Sequence, residues 1–260
     1  MATVTSAGTE IYYETQGEGD AILFAHGAGG NAGIWFEQVA AFSDRYQCIA
    51  FDHRTFARTP ADPASINPGQ FRDDALAVLD ACGVERAHLV AQSMGGWTCL
   101  RLALDQPERV RSLTMSCTPG GLPNPAPTES ARNLTSSGDS GRAGVMATMS
   151  RATAADPVRM QLYQTINGYN TAFSMANLRS LGDPAFAVTE AQCGTVELPV
   201  LFISGAEDPL FPPTQLKTYV PWFPDARMEV IADAGHSPYF EQPAVFNELL
   251  GEFLEGGNGS

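Results

Sequence analysis

A short, continuous apolar run at residues 21–25 is followed by further strand-like segments at 47–51, 87–91 and 110–116, and segments with helical character separate them at residues 32–42, 68–82 and 94–106. Runs of this length suit strands rather than helices. A strand with no polar face must be covered on both sides, and a strand that returns through a helix pairs parallel to its predecessor. The pattern predicts an α/β chain built on a mostly parallel, doubly wound sheet with helices on both faces. Gly83 stops one of the helices and Pro107 another. Before them, residues 11–15 alternate apolar and polar, as a half-buried strand does.

The rhythm breaks at Thr118. Pro119, Pro123, Pro125 and Pro127 fall close to Gly120 and Gly121, and no strand pattern appears before residue 194. That stretch reads as short helices carrying Met146, Met149, Met160 and Met175 with Tyr163, Tyr169 and Phe173. Strands resume at residues 198–204 and 227–231, and an amphipathic helix follows at 244–254. The expected organisation is a core of residues 1–118 and 196–255, a helical cap inserted at 119–195, and a flexible tail at 256–260.

Charge and cysteine usage exclude several classes. A formal net charge of -14 and a pI near 4.5 repel phosphate backbones, so no nucleic-acid partner is expected. The cysteine count is 5, odd, with no C-x-x-C pair, which argues against a metal site or a redox dithiol. Cys48, Cys99 and Cys117 lie in apolar stretches and read as small core residues, suited to a reducing compartment. No secretory signal and no apolar run long enough to span a membrane is visible, so a cytoplasmic protein is expected. No cofactor is expected.

The chemistry concentrates at Ala87-His88-Leu89-Val90-Ala91-Gln92-Ser93-Met94-Gly95-Gly96, where a buried strand runs into a helix with serine at the junction. Ala91 and Gly95, two residues to either side, are small enough for a sharp turn that lifts Ser93 above the sheet at a helix N-terminus. A serine N-cap is the alternative reading. His26-Gly27-Ala28-Gly29-Gly30 ends an earlier strand, so the amides of Ala28 and Met94 are candidates for an oxyanion hole. His236, in Ala234-Gly235-His236-Ser237-Pro238, is the histidine placed in a loop beyond the last strand, where parallel sheets bind ligands. A carboxylate must orient its imidazole. Asp208, after the 201–203 strand, fits, with Glu207 and the weaker Asp233 as competitors. The order serine, acid, histidine matches that of one hydrolase fold class.

The chain resembles the α/β-hydrolase superfamily, in particular compact bacterial serine esterases and 3-oxoadipate enol-lactonase-like hydrolases. The resemblance rests on His26-Gly27-Ala28-Gly29-Gly30 with Trp35, Asp52-His53-Arg54, Gln92-Ser93-Met94-Gly95-Gly96, Gly205-Ala206-Glu207-Asp208, and Gly235-His236 leading to Glu241-Gln242-Pro243. It implies a helical cap over the active site. Two departures stand out. Ala91 replaces a usual glycine, and Thr55 and Ala57 stand where glycines with positive φ are usual, so that loop must take another path or carry strain.

These residues lead to the expectation of a serine hydrolase acting on a small-molecule ester, thioester or lactone through an acyl-enzyme on Ser93. Alternatives are a carbon–carbon bond hydrolase, a cofactor-free perhydrolase or haloperoxidase, and, from another class, a ligand-binding receptor on a hydrolase scaffold. Arg132, Arg142, Arg151, Arg159 and Arg179 are either solvated charges or contacts for a substrate carboxylate.

Overall fold

The computed structural model describes residues 2–124, 127–130, 132 and 146–256. Of the expected flexible tail at 256–260, Gly256 instead ends the last helix, and 257–260 lie outside the described residues, as do Pro125 and Arg142. The described strands form one 8-stranded sheet in the order β1-β2-β4-β3-β5-β6-β7-β8. They are β1 (Ala2–Ser6), β2 (Thr9–Gln16), β3 (Asp20–Ala25), β4 (Tyr46–Phe51), β5 (Ala87–Gln92), β6 (Val110–Ser116), β7 (Val200–Gly205) and β8 (Ala226–Ile231). From β4 to β8 all pairings are parallel, and only the β1–β2–β4 side is antiparallel. The main helices are α1 (Phe36–Phe42), α2 (Pro68–Ala81), α3 (Gly95–Asp105), α4 (Pro157–Gly168) and α5 (Pro243–Gly256).

β1 is not among the strands that hydropathy predicts. Its residues are mostly polar and exposed, and backbone pairing to β2 holds it. The turn between them is Ala7-Gly8, with φ of 44 and 77°, the left-handed pair of a type I′ hairpin.

Successive residues of the central strands enter opposite cores, as period-2 geometry requires. Leu23, Ile49, Phe51, Leu89, Leu113 and Phe202 pack with α2 and α3 residues such as Val78, Leu79 and Leu102. Ile22, Phe24, Cys48, Val90, Leu201 and Ile203 pack on the other face with Phe42, Phe246 and Leu250. Both faces are covered, which explains the unbroken apolar runs. Between β6 and β7 the described residues contain helices and no strand.

The chain leaves β3 to form β4 on one side and β5 on the other. The two crossovers diverge there, so a crevice opens beyond the C-terminal ends of β3 and β5.

Candidate active site

Ser93 follows β5 directly and has a φ of 48°, in the left-handed region that costs a residue with a Cβ about 1–2 kcal/mol. Its own amide donates to Ser116 O at 3.0 Å, and its carbonyl accepts from Gly96 N at 2.9 Å, so the bend is fixed at both ends. The tightness explains Gly95: a Cβ there would lie 2.1 Å from the Ala25 carbonyl oxygen. The side chain is left partly exposed above the sheet edge.

His236 Nε2 lies 2.9 Å from Ser93 Oγ, and its Nδ1 lies 3.0 and 3.1 Å from the Asp208 carboxylate oxygens. With the ring proton on Nδ1 facing the carboxylate, Nε2 is free to accept the hydroxyl proton. Asp208 Oδ1 also accepts from Leu210 N at 2.8 Å and Phe211 N at 3.2 Å, which fixes its plane. The competing carboxylates stand elsewhere. Glu207 accepts from Arg151 N, and Asp233 is exposed. His236 and Asp208 are both buried, at 5% and 3% exposure, so little water competes for their hydrogen bonds.

Ala28 follows β3 and faces the same cavity as Ser93, Met94 and His236. Among the described residues no group accepts a hydrogen bond from the amide of Ala28 or of Met94. His26 supports the loop from below: Nδ1 donates to Gly27 O at 2.8 Å and Nε2 accepts from His53 N at 3.0 Å. Burial pushes the His26 pKa down to about 4, consistent with a neutral ring in this double role.

The loop after β4 keeps the left-handed bends that glycines would allow without strain. Thr55 has a φ of 71° and Ala57 of 35°. Asp52 holds the loop, accepting from Ala32 N, from Arg58 N and from the Arg58 guanidinium. The result inserts Phe56 between His26, at 4.9 Å, and Phe173, at 4.4 Å between ring centroids.

The cavity measures about 390 Å³. Its walls include Trp97, Tyr163, Met175, Leu178, Leu181 and Phe211, and they are largely apolar. Trp97 Nε1 donates to Leu181 O at 2.9 Å and fixes the turn of helix above it. Of the methionines in this region, Met175 lines the cavity, whereas Met146, Met149 and Met160 pack against the core. Of the arginines, Arg179 lies on the cavity wall, while Arg159 is engaged by Glu37 and the Phe240 carbonyl.

A family model described as the alpha/beta hydrolase family matches residues 22–249. The chain belongs to that family. A protein named putative carbamate hydrolase RutD from Azorhizobium caulinodans is 42% identical over 106 residues, which span 41% of this chain and 40% of that protein. The protein of the same name from Variovorax paradoxus is 29% identical over 262 residues, covering 94% of this chain and 96% of the relative. Among solved structures, Est816, titled an N-acyl homoserine lactone degrading enzyme, superimposes with a TM-score of 0.84 at 27% identity, covering 96% of this chain and 99% of that one.

Several contacts of this hydrolase are not readable from motif spacing. Gln92 Nε2 donates to His236 O at 2.8 Å and ties the serine turn to the histidine loop. Glu241, buried, accepts from the amides of Gly235, Ser237 and Ser150. His236 N donates to Thr148 O at 2.9 Å, and a Cβ at Gly235 would lie 2.3 Å from that same oxygen. Cys117, with a φ of 48°, sits where the Asp208 and His236 loops meet: Gly205 N lies 3.5 Å from its sulfur and Gly235 O 3.8 Å. Burial first, and the Asp208 carboxylate second, push its thiol pKa well up, so it stays protonated. It groups with Asp208 and His236 as possible metal ligands, but the carboxylate and imidazole already face each other. Glu241 belongs to the Glu241-Gln242-Pro243 segment, which is the sequence signal for this network.

Proposed function

We propose that this hydrolase cleaves a carboxylic ester, thioester or lactone of a small, largely apolar substrate through an acyl-enzyme on Ser93. The observation that carries the reading is the continuous chain from Ser93 Oγ through His236 to Asp208. Ser93 Oγ bonds to the substrate carbonyl carbon as its proton passes to His236 Nε2. Asp208 holds the imidazole and stabilises its charged form. The amides of Ala28 and Met94 receive the oxyanion, a contribution worth roughly 10²–10³ in rate per donor. Collapse expels the alcohol, thiol or ring oxygen, which takes the proton from His236. Water then loses a proton to His236, attacks the acyl carbon, and releases the acid with Ser93 restored.

Residues 119–195 act in this reading as the cap. They supply Tyr163, Met175, Leu178 and Leu181 to an apolar acyl or ring pocket. The names of the relatives add a second reading for the same machinery, since a carbamate carbonyl is attacked in the same way.

The test is hydrolysis of para-nitrophenyl esters from acetate to octanoate, beside a lactone and an aryl carbamate, by the native protein and by Ser93→Ala. Turnover lost in the variant supports the acyl-enzyme, and the preferred series separates ester from carbamate. No turnover by the native protein, or equal rates in both proteins, defeats it, and no turnover is the outcome that favours a ligand-binding role.

A further inference from the structure

The loop expected to carry an oxyanion donor is gripped from the cap by buried asparagines. The Gly27–Gly30 turn is closed by Gly30 N donating to Gly27 O at 3.0 Å, and His26 Nδ1 donates to the same oxygen. In a trans peptide the N–H points opposite the carbonyl, and the described residues contain no cis bond, so pinning Gly27 O aims the Ala28 amide the other way. The Gly29 and Gly30 carbonyls are held by α4 and the residues just beyond it, and the Gly29–Gly30 peptide carries the Gly30 N–H that pins Gly27 O. Asn167 Nδ2 donates to Gly29 O at 3.0 Å, and Asn170 Nδ2 donates to Gly30 O at 2.9 Å. Asn31 completes the clamp by donating to Ile166 O at 2.9 Å. Asn31, Asn167 and Asn170 are 3%, 4% and 2% exposed, so their amides have little water to turn to.

Resting on the acyl-enzyme reading above, we propose that Asn167 and Asn170 are positioning residues. They hold the Ala28 amide in its donor orientation, so that assembly of the oxyanion hole depends on the docking of α4. Docking alone does not need them, because Tyr163 and Ile166 of the same helix already pack into the apolar core. Buried amides specify geometry where apolar packing would only supply adhesion. A glycine-rich turn without these partners has many peptide orientations of similar energy. Tyr163 lines the cavity one turn before Asn167. Substrate pressed against Tyr163 therefore bears on the helix that orients the donor, and pocket filling and transition-state stabilisation are linked through α4.

The experiment uses Asn167→Ala, Asn170→Ala and the double variant, with Asn167→Leu and Asn170→Leu keeping the side-chain volume while deleting the amide. Active sites are counted by covalent labelling with a fluorophosphonate, and rates are expressed per labelled site. The probe is an aryl trifluoromethyl ketone: Ser93 Oγ adds to its carbonyl carbon, the serine proton moves to His236, and the former carbonyl oxygen becomes an oxyanion. The expected result is a kcat about 10-fold lower in each single variant and roughly 10²-fold lower in the double, with ketone affinity falling in parallel. KM should move little. Unchanged kcat and ketone affinity per labelled site, or a change in KM alone, would overturn the clamp. If the variants are merely less stable, the labelled fraction falls while the per-site constants hold, and that outcome also counts against it. Failure of the underlying reading is separate: fluorophosphonate would then label Ser93→Ala as well as the native protein, or neither.

Discussion

Replacing Thr55 with glycine should make this hydrolase more stable, although it removes a buried side chain. Thr55 is 1% exposed and has a φ of 71°. A β-branched residue in that region carries about 1–2 kcal/mol of strain, which glycine does not. Among the described residues its buried hydroxyl has no hydrogen-bond partner, a burden of about 1–3 kcal/mol. Against these stand about 0.5–1 kcal/mol for the added freedom of glycine in the unfolded chain and about 0.8 kcal/mol for the lost methyl burial. At mid-range values the balance is a gain of about 2 kcal/mol, or roughly 4–8 °C in Tm for a domain of this size. Thr55 N donates to Thr59 O at 2.9 Å, and glycine keeps that bond. Urea denaturation of native protein, Thr55→Gly and Ala57→Gly would measure it. Ala57 has a φ of 35°, is less buried and carries no orphan hydroxyl, so its replacement should be close to neutral. A Thr55→Gly protein no more stable than native would refute the claim that the loop stores strain.

Three further outcomes concern buried or crowded positions. Gly95→Ala should cost about 2–3 kcal/mol in denaturation and most of the turnover, because its Cβ would meet Ala25 O at 2.1 Å and displace the start of α3. Asp74→Ala should cost about 3–5 kcal/mol, because Arg54 and Asp74, both 1% exposed and 2.6 Å apart, would leave a buried guanidinium with only Ser6 O and the Thr9 and Ser65 hydroxyls. Between pH 6.5 and about 4 the unfolded chain binds a proton that buried His26 resists, so stability is full above pH 6.5 and falls as pH drops toward 4. That histidine alone contributes roughly 3 kcal/mol across the window, and His53, depressed for the same reason of burial, adds in the same direction. Urea midpoints at several pH values should show a shallower acid slope in His26→Asn than in the native protein.

The parts legible in the sequence are those set by local rules. The central strands are visible because burial on both faces demands unbroken apolar runs, as in Ile22-Leu23-Phe24-Ala25. Ser93 stands out because a strand-to-helix junction needs small neighbours, and Asp208 and His236 because each follows a strand at the C-terminal edge, where parallel sheets in general bind ligands. β1 escapes hydropathy because it is an exposed edge held by backbone pairing. Asn31, Asn167 and Asn170 carry no local signature, since a buried amide is defined by a partner more than a hundred positions away in the chain, as with Asn167 and Gly29. Thr55 and Ala57 are an intermediate case. Their identity shows that the loop is unusual, but only the dihedral angles decide that it keeps the left-handed path and bears the strain.

The strained residues share a location, and that location bears on how the site is built. Ser93 follows β5, Cys117 follows β6, Thr55 and Ala57 lie in the loop after β4, and Asp233 follows β8; all have positive φ. Ala7, in the β1–β2 hairpin, lies apart from them. The others occupy the edge from which Asp208 and His236 also emerge. A left-handed residue at a strand end turns the chain within one position, which lets loops from separate strands converge on one cavity. Each such bend costs about 1–2 kcal/mol, and it persists only where the strand behind it cannot shift. Here the strands behind the bends are mostly buried on both faces, and the loops are tied across the edge by Gln92 to His236, Ser93 to Ser116 and Cys117 to Ile203. Relieving strain at Thr55 leaves those ties intact, which is why a gain in stability there should come without loss of turnover. At Ser93 and Cys117 the strained residue is itself a knot between strands, so stability and geometry cannot be exchanged in the same way.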